Sequence, residues 1–248
     1  MELINIRPAT LNPSSSTSQP RAILEQNVFL TQLSEQITSD FCLINCAPPA
    51  RYAEQLGETV RTNRTEAEFI LRATKRLMMV NRDTTIGILS PYNDQVSYIR
   101  KMFTQDVDFR ANFDDQLRFT RTNIRSIDSA QGREYDVVFL SVGRRDGRLK
   151  LLHDSINPIL KNLENGRVNV GTSRQKRALM VCMALDNFKR NRNKKVEEKR
   201  HFRPEEQLRA AWGYNISVDD QSMNQLITYM EGTKAVFDAS GLHIPSEG

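Results

Sequence analysis

The apolar positions of this chain form short continuous runs that alternate with longer segments of helical periodicity. The short runs are rich in β-branched residues, which is typical of strands buried on both faces of a sheet. The longer segments place apolar residues three or four positions apart, as amphipathic helices do. Strands that alternate with helices in this way predict an α/β domain with a parallel sheet.

The predicted elements follow from these runs. The strands are Phe41–Cys46, Thr85–Leu89, Asn123–Ile127, Asp136–Val142 and Ala178–Met183. The helices are Thr65–Val80 and Asn93–Phe103, with looser helical spacing at Arg21–Asp40, Gln207–Trp212 and Ser222–Tyr229. Ligands of parallel sheets bind beyond the carboxyl ends of the strands, so the residues that follow each strand are the candidates for function.

Composition divides the chain into three predicted parts. Residues 11–20 hold two prolines and five Ser or Thr, so residues 1–40 are expected to be a flexible lead or linker. Residues 41–188 carry the strand–helix alternation and are predicted to be the folded domain. Residues 189–248 lose the periodicity and are expected to form a basic, partly disordered extension.

Charge is concentrated in one segment. The chain carries a net charge of +5, and residues 189–203 alone carry +6. Such a block is typical either of a solvated or disordered run or of a nucleic-acid contact or nuclear-import signal. The remainder of the fold is therefore nearly neutral.

Composition also excludes several classes of protein. No run of about 18 apolar residues occurs, and the first residues lack the apolar core of a signal peptide. Three cysteines are too few for a disulfide framework, which favours a reduced, intracellular setting, and Cys42 and Cys46 are expected to be core residues. The three histidines are scattered, which argues against a zinc site. No G-x-G-x-x-G motif follows a strand, which argues against a dinucleotide-binding enzyme.

Four polar segments stand near strand ends. They are residues 63–67 (NRTEA), 90–96 (SPYNDQV), 126–136 (SIDSAQGREYD) and 167–177 (RVNVGTSRQKR). Hydroxyl groups, and backbone N–H groups beside a glycine, can donate hydrogen bonds to phosphate oxygens. An acidic side chain can accept hydrogen bonds from ribose hydroxyls, and the planar guanidinium of arginine suits a phosphoryl group. Taken singly, each segment is equally typical of a polar turn, a helix cap or solvated arginines.

In this order, however, the four segments resemble those of the second motor domain of superfamily 1 helicases. The resemblance is to the branch that includes the nonsense-mediated-decay RNA helicase and senataxin-like proteins, and it covers residues 41–183. It implies a RecA-like, P-loop-type domain flanked by flexible extensions. A family pattern such as TPY-x-x-Q appears here as Ser90–Gln95, and V-D-x-F/Q-G-x-E-x-D appears as Ile127–Asp136.

The resemblance also implies roles for particular residues. Arg64 and Arg174 would reach the γ-phosphate of ATP bound to a partner domain. Gln131, Gly132, Glu134 and Arg167 would lie near the nucleotide, with Glu134 facing the ribose. The single-strand track would be lined by Ser90, Pro91, Tyr92, Asn93, Ser126, Asp128 and Ser129, which would contact the backbone of the strand.

The sequence also departs from the family. It contains no G-x-x-x-x-G-K-[ST] phosphate loop, and Gly171, Thr172 and Ser173 stand where Ala, an apolar residue and Thr are usual. ATP and Mg²⁺ would therefore be held mainly by a first RecA-like domain, with this chain as the monomeric C-terminal half of the motor. The alternative is a non-catalytic nucleic-acid-binding or interaction module. Single-stranded RNA or DNA is the expected partner, in the nucleus or cytoplasm and without a membrane.

Overall fold

The strands belong to two sheets. A computed structural model describes residues 33, 36–37, 39–47, 61–112, 116–144, 155–156, 163–164, 170–190, 221–242 and 244. The main sheet comprises β1 (Phe41–Asn45), β2 (Ile86–Ser90), β3 (Ile124–Ser126), β4 (Tyr135–Ser141), β7 (Gln175–Met183) and β8 (Val236–Asp238). Its order is β3-β2-β4-β7-β1-β8, and every neighbouring pair is parallel. A short antiparallel pair is formed by β5 (Ser155–Ile156) and β6 (Leu163–Glu164).

Among the described residues, several helices accompany these strands. They are α1 (Arg64–Val80), α2 (Asn93–Gln105), α3 (Val107–Asn112), α4 (Gln116–Asn123) and α5 (Gln221–Gly232). Residues 185–190 are also helical. Within the described part of the chain, no helix combines the length and the apolar character needed to span a membrane.

The central strands are apolar because both of their faces are covered. Every residue of β2 is buried, and so are the last six residues of β7. In β4, only Asp136 is more than slightly exposed. Near-continuous burial is what a parallel sheet with helices on both faces requires, and it explains why unbroken apolar runs in the sequence mark these strands. The predicted α/β fold with a parallel, RecA-like sheet is confirmed.

Neighbouring residues of β4 identify the two covered faces. Successive strand residues point to opposite sides of a sheet. Ser141 donates a hydrogen bond to Glu66 of α1, whereas the Leu140 side chain lies against Gly171 in the helical turn at residues 170–172. Helix α1 therefore covers one face, and the turn before β7 covers the other.

The structure confirms the five predicted strands and the helices of residues 65–80, 93–103 and 222–229. Cys42 and Cys46 are fully buried, as expected for core residues. Helices α3 and α4 were not predicted. The predicted helix at 207–212 and most of the one at 21–40 lie outside the described residues, although Leu33 and Ile37 are fully buried.

The C-terminal part of the chain also contributes to the sheet. Strand β8 pairs in parallel with β1, helix α5 contacts β1, and the α5 residues Met223 and Met230 are fully buried. Lys189 forms an ion pair with Glu231 of α5. The sheet therefore includes a strand from beyond residue 188, where the predicted domain ends.

Candidate nucleic-acid interface

A pocket of about 300 Å³ opens beyond the carboxyl ends of β2 and β3. Its walls are formed by Arg61, Pro91, Tyr92, Asn93, Asp94, Ser126 and Asp128. Five of the seven residues predicted to contact a single strand therefore line one cavity. The other two, Ser90 and Ser129, are not among its lining residues, but each is next to a lining residue along the chain.

Strand register brings the two loops of the pocket together. Ser90 and Ser126 are direct partners at the ends of β2 and β3, so the residues that follow them emerge side by side. The Ile127 N–H donates to the Ser90 carbonyl at 3.0 Å, and the Ser90 hydroxyl accepts from the Tyr92 N–H at 3.3 Å. On the other loop, the Ser129 hydroxyl donates to the Ser126 carbonyl at 2.9 Å.

The pocket combines a buried floor with an exposed polar rim. Tyr92 is only 3% exposed, and the Arg144 guanidinium lies 5.9 Å from the centre of its ring. This geometry permits a cation–π interaction, and a ring so deeply buried exposes little surface for stacking by a base. Asn93 and Asp128 are exposed at the rim, while Arg61 is 4.0 Å from Asp94.

Behind the pocket lies a buried hydrogen-bond network centred on Glu66. One carboxylate oxygen of Glu66 accepts from the Ser141 hydroxyl at 2.6 Å and from the Gly143 N–H at 2.8 Å. The other accepts from the Asn63 side-chain amide at 2.8 Å. Gln95 completes the network, because its amide donates to Ser141 at 2.9 Å and to the Asn63 carbonyl at 3.1 Å.

The network includes the N-terminal cap of α1. Asn63 is the N-cap of α1, and its side chain accepts from the N–H of Glu66, which occupies the third helical position. An N-cap residue followed three positions later by Glu is the pattern of a capping box. Here the Glu66 side chain also reaches the end of β4, so the cap joins the helix to the sheet.

Glu66 is fully buried, and its environment perturbs it strongly. Burial raises the pKa of Glu66 to about 8, although the hydrogen bonds from Ser141, Gly143 and Asn63 oppose this rise. Desolvation penalises the charged form, while the three donors favour it. The carboxyl group therefore titrates near neutral pH.

Gly143 closes the network and requires the freedom of glycine. Its φ is +77°, a left-handed conformation that side chains disfavour. A Cβ at this position would lie 3.1 Å from Cβ and Cγ of Gln95 and 3.2 Å from the Arg61 carbonyl oxygen. The backbone after β4 therefore packs closely against both the network and the pocket.

The predicted nucleotide residues lie on the connection from β3 to β4. This connection continues from the pocket residue Asp128 through a 3₁₀ turn to Gln131 and Gly132, which are both exposed. Glu134 is also exposed and lies 3.7 Å from Lys176 at the start of β7. Arg167 lies outside the described residues. Within the described ranges, no cluster of three or more His, Cys, Asp or Glu side chains could hold a metal ion.

The two predicted arginine fingers differ in their surroundings. Arg64 is the first residue of α1, its side chain is half exposed, and its Nε donates to Glu68 at 2.6 Å. Arg174 directly precedes β7, at the amino end of that strand. Its side chain folds back toward the preceding turn, because its guanidinium donates to the Val170 carbonyl at 3.2 Å and to the Ser173 hydroxyl at 3.0 Å.

The departure at Gly171 has a packing explanation. A Cβ on Gly171 would lie 3.2 Å from a methyl carbon of Leu140 and 3.3 Å from one of Ile127. The turn at residues 170–172 therefore lies unusually close to the sheet, where alanine, which is usual in the family, would be tightly packed.

The sequence prediction missed several residues of the site. Arg61 and Arg144 adjoin the pocket, yet neither belongs to a segment that was singled out. The network residues Asn63, Glu66 and Gln95 lie within the quoted motifs but were not predicted as site residues. The capping-box spacing of Asn63 and Glu66 was the signal that could have identified the start of this network.

Comparisons with known proteins agree with this geometry. A family model described as "AAA domain" matches residues 11–185. The DNA polymerase alpha-associated DNA helicase A of Saccharomyces cerevisiae is 33% identical over 112 residues, which are 45% of this chain and 14% of that protein. The Regulator of nonsense transcripts 1 homolog of Drosophila melanogaster is 29% identical over 140 residues, which are 54% of this chain and 11% of that protein.

This chain thus spans a small fraction of the length of both relatives. The family match covers more than half of the chain, and both relatives support the resemblance to superfamily 1 helicases carried by the four motifs. The chain therefore belongs to this AAA domain family and is a distant relative of helicases.

Proposed function

We propose that this chain is the second RecA-like motor domain of an ATP-dependent superfamily 1 helicase. In this role it binds a single nucleic-acid strand and supplies arginines to ATP hydrolysis on a first motor domain. The observation that carries the proposal is the pocket, which is lined by residues from two separate motifs, Pro91–Asn93 from one and Ser126 and Asp128 from the other. The helicase relatives and the AAA domain match support the same class of activity.

The strand site acts on the backbone of the nucleic acid. Its exposed donors are the guanidinium of Arg61 and the Asn93 amide, which can hold phosphate or sugar oxygens without reading sequence. Tyr92 stays buried beneath them and shapes the floor. A site of this kind binds single-stranded RNA or DNA with little sequence preference and with strong dependence on salt.

The contacts to the γ-phosphate of ATP come from Arg64 and Arg174. ATP, held with Mg²⁺ on the partner domain, supplies the phosphoryl group, and the arginines stabilise the negative charge that develops during transfer. Releasing Arg64 from Glu68 costs little, since exposed ion pairs contribute only about 0–1 kcal/mol. Arg174 is held by hydrogen bonds to Val170 and Ser173, which direct it back along its turn.

The connection from β3 to β4 links the strand pocket to the residues assigned to the nucleotide. Asp128 borders the strand pocket, and Gln131, Gly132 and Glu134 follow within the next six residues. In the proposed function, Glu134 accepts from the ribose of the nucleotide, and Gln131 and Gly132 respond to both ligands. Arg167, from the last motif, would join them near the nucleotide.

The test is reconstitution of the motor. The 248-residue chain is mixed with a first motor domain that carries a phosphate loop, and phosphate release is measured with oligouridine and with oligothymidine. We expect negligible turnover by the chain alone and strand-stimulated turnover by the mixture. Arg174→Ala should reduce that turnover by about 10³-fold or more. Arg118→Ala, at an exposed position of α4, is the matched control.

The outcomes separate the motor from the alternative function. If Arg174→Ala leaves the restored ATP turnover unchanged, Arg174 does not have the role assigned to it. Salt-sensitive strand binding by the chain with no restored turnover would favour a non-catalytic nucleic-acid-binding module. An internal deletion of residues 191–203 then shows whether the basic run contributes to that binding, since it should lower the affinity and flatten its dependence on salt.

A further inference from the structure

The network around Glu66 connects two surfaces to which the proposed function assigns different ligands. Gln95 directly follows the pocket residue Asp94 on α2, and Asn63 directly precedes Arg64 on α1. The Gln95 side chain accepts from the Asn63 N–H at 2.8 Å and donates to the Asn63 carbonyl at 3.1 Å. One side chain therefore holds the backbone of the α1 cap from both sides.

Most of the hydrogen-bonding groups at the centre of this network already have partners within it. Both donors and the acceptor of the Gln95 amide are used, and Ser141 donates to Glu66 while accepting from Gln95. Leaving a buried polar group without a partner costs about 1–3 kcal/mol. Gln95 thus cannot shift alone, and a displacement of the start of α2 is carried to the start of α1.

The network extends beyond the helix cap. The capping box requires Glu66 to interact only with Asn63, yet Glu66 also binds Ser141 and Gly143 at the end of β4. A Cβ on Gly143 would lie 3.1 Å from Gln95 and 3.2 Å from the carbonyl oxygen of the pocket residue Arg61, so the backbone here passes close to both. The network therefore lies between residues that line the pocket and the helix that begins at Arg64.

We propose that Gln95 and Glu66 are positioning residues that couple occupancy of the strand pocket to the placement of Arg64. Binding of a strand fixes the Tyr92–Asp94 turn, Gln95 transmits this to the Asn63 cap, and Glu66 fixes the first turn of α1 against β4. The phosphate contact by Arg64 is then formed best when a strand is bound. This inference rests on the proposed function, of which it describes the regulation.

The test measures hydrogen exchange in the intact 248-residue chain, so it does not depend on restored ATP hydrolysis. Exchange is followed by mass spectrometry with and without an oligouridine of about 15 nucleotides, a length that spans typical single-strand sites. Binding is measured separately by fluorescence anisotropy. We expect the strand to slow exchange at residues 91–95 and, by about fivefold or more, at residues 64–68.

Gln95→Leu removes the link while keeping the side-chain volume nearly unchanged. This variant should bind the strand within about threefold of the wild-type affinity. It should keep the protection at residues 91–95 and lose the protection at residues 64–68. Gln105→Leu, at the exposed end of the same helix, is the control and should behave as the wild type does. Ser141→Ala is a milder second variant should Gln95→Leu fail to fold. It leaves Gln95 bound to Asn63 but removes the hydrogen bonds that join Gln95 and Glu66 to β4, so it should reduce the protection at residues 64–68.

The results distinguish the two proposals. No binding by the wild-type chain would overturn the strand site of the proposed function and the coupling with it. Binding without protection of residues 64–68, or protection that persists in Gln95→Leu and Ser141→Ala, would overturn the coupling alone. Loss of that protection in Gln95→Leu and its reduction in Ser141→Ala, with the pocket still protected, is the result that supports it.

Discussion

The side-chain amide of Gln95 forms hydrogen bonds with both the N–H and the carbonyl of Asn63, at 2.8 and 3.1 Å, across 32 residues of sequence. This pairing ties the first turn of α2 to the cap of α1, although each helix follows a different strand. The two motifs that contain these residues are therefore parts of one buried structure that lies beside the pocket.

Replacing Asn63 with alanine should destabilise the fold. The side chain caps α1, binds Glu66 and donates to the Cys46 carbonyl at 3.2 Å, so its removal leaves buried groups unpaired. We expect the free energy of unfolding to fall by about 2–3 kcal/mol, measured by urea denaturation. Asn112→Ala, at an exposed helix end, should change it by less than about 0.5 kcal/mol. Equal effects of the two substitutions would contradict a special role for the cap.

Glu66 should give the fold a distinctive pH dependence. Its pKa is about 8 in the folded protein against an ordinary value of 4.5, so unfolding releases its proton at intermediate pH. The protonated form is favoured by folding, and its contribution is therefore complete below about pH 4.5 and is lost as the pH rises toward 8. The loss can reach about 1.4 kcal/mol for each pH unit.

The measurement for Glu66 compares unfolding free energies at several pH values between 5 and 8. Glu66→Gln removes the titrating group, so the stability of the wild type relative to this variant should fall across that range. Glu231→Gln, at a partly exposed position of α5, should show no such trend relative to the wild type. A constant difference between wild type and Glu66→Gln at all pH values would show that Glu66 does not titrate there.

Gly143→Ala should be costly for two independent reasons. The left-handed backbone disfavours any side chain, and the new methyl group would lie 3.1 Å from Gln95 and 3.2 Å from the Arg61 carbonyl oxygen. We expect a destabilisation of about 1–3 kcal/mol in thermal or chemical unfolding. Gly232→Ala is the matched control, since no atom lies within 4 Å of the corresponding position there. A smaller effect at Gly143 than at Gly232 would contradict the close packing of this loop.

Arg61→Gln should weaken single-strand binding and reduce its dependence on salt. Each phosphate contact on a single strand contributes about 0.7 to the slope of log affinity against log salt concentration. Loss of the Arg61 contact should therefore lower the slope by about that amount, as measured by anisotropy titrations. Arg82→Gln, in an exposed turn after α1, should leave the slope unchanged. An unchanged slope in Arg61→Gln would exclude a phosphate contact at this wall of the pocket.

Much of the fold follows from the sequence because the central strands are buried on both faces. Strands β2 and β4 are continuous apolar runs, so their position needs no knowledge of their neighbours. Helix α4 escapes prediction because its sequence, QLRFTRTN, is mostly polar. Its apolar residue Phe119 packs instead in a small cluster with Phe103 and Phe109, and such a cluster depends on tertiary contacts.

The site is predictable only in part, for a similar reason. The residues Pro91–Asn93 and Ser126–Asp128 were identified within motifs, and the register of β2 with β3 then brings them to one pocket. The contribution of Arg144 depends on the path of the chain after β4, which places its guanidinium over Tyr92. No local spacing in the sequence encodes a contact between loops of different strands.

Because β8 pairs with β1, the basic run at residues 189–203 lies between two parts of the folded domain along the chain and is not a terminal extension of it. Lys189 contacts Glu231, and the chain returns to the sheet at Val236, so described residues on both sides of this run belong to the same domain. Truncating the protein after Arg190 would remove β8 and leave the backbone of β1 unpaired along that edge, whereas an internal deletion would spare it.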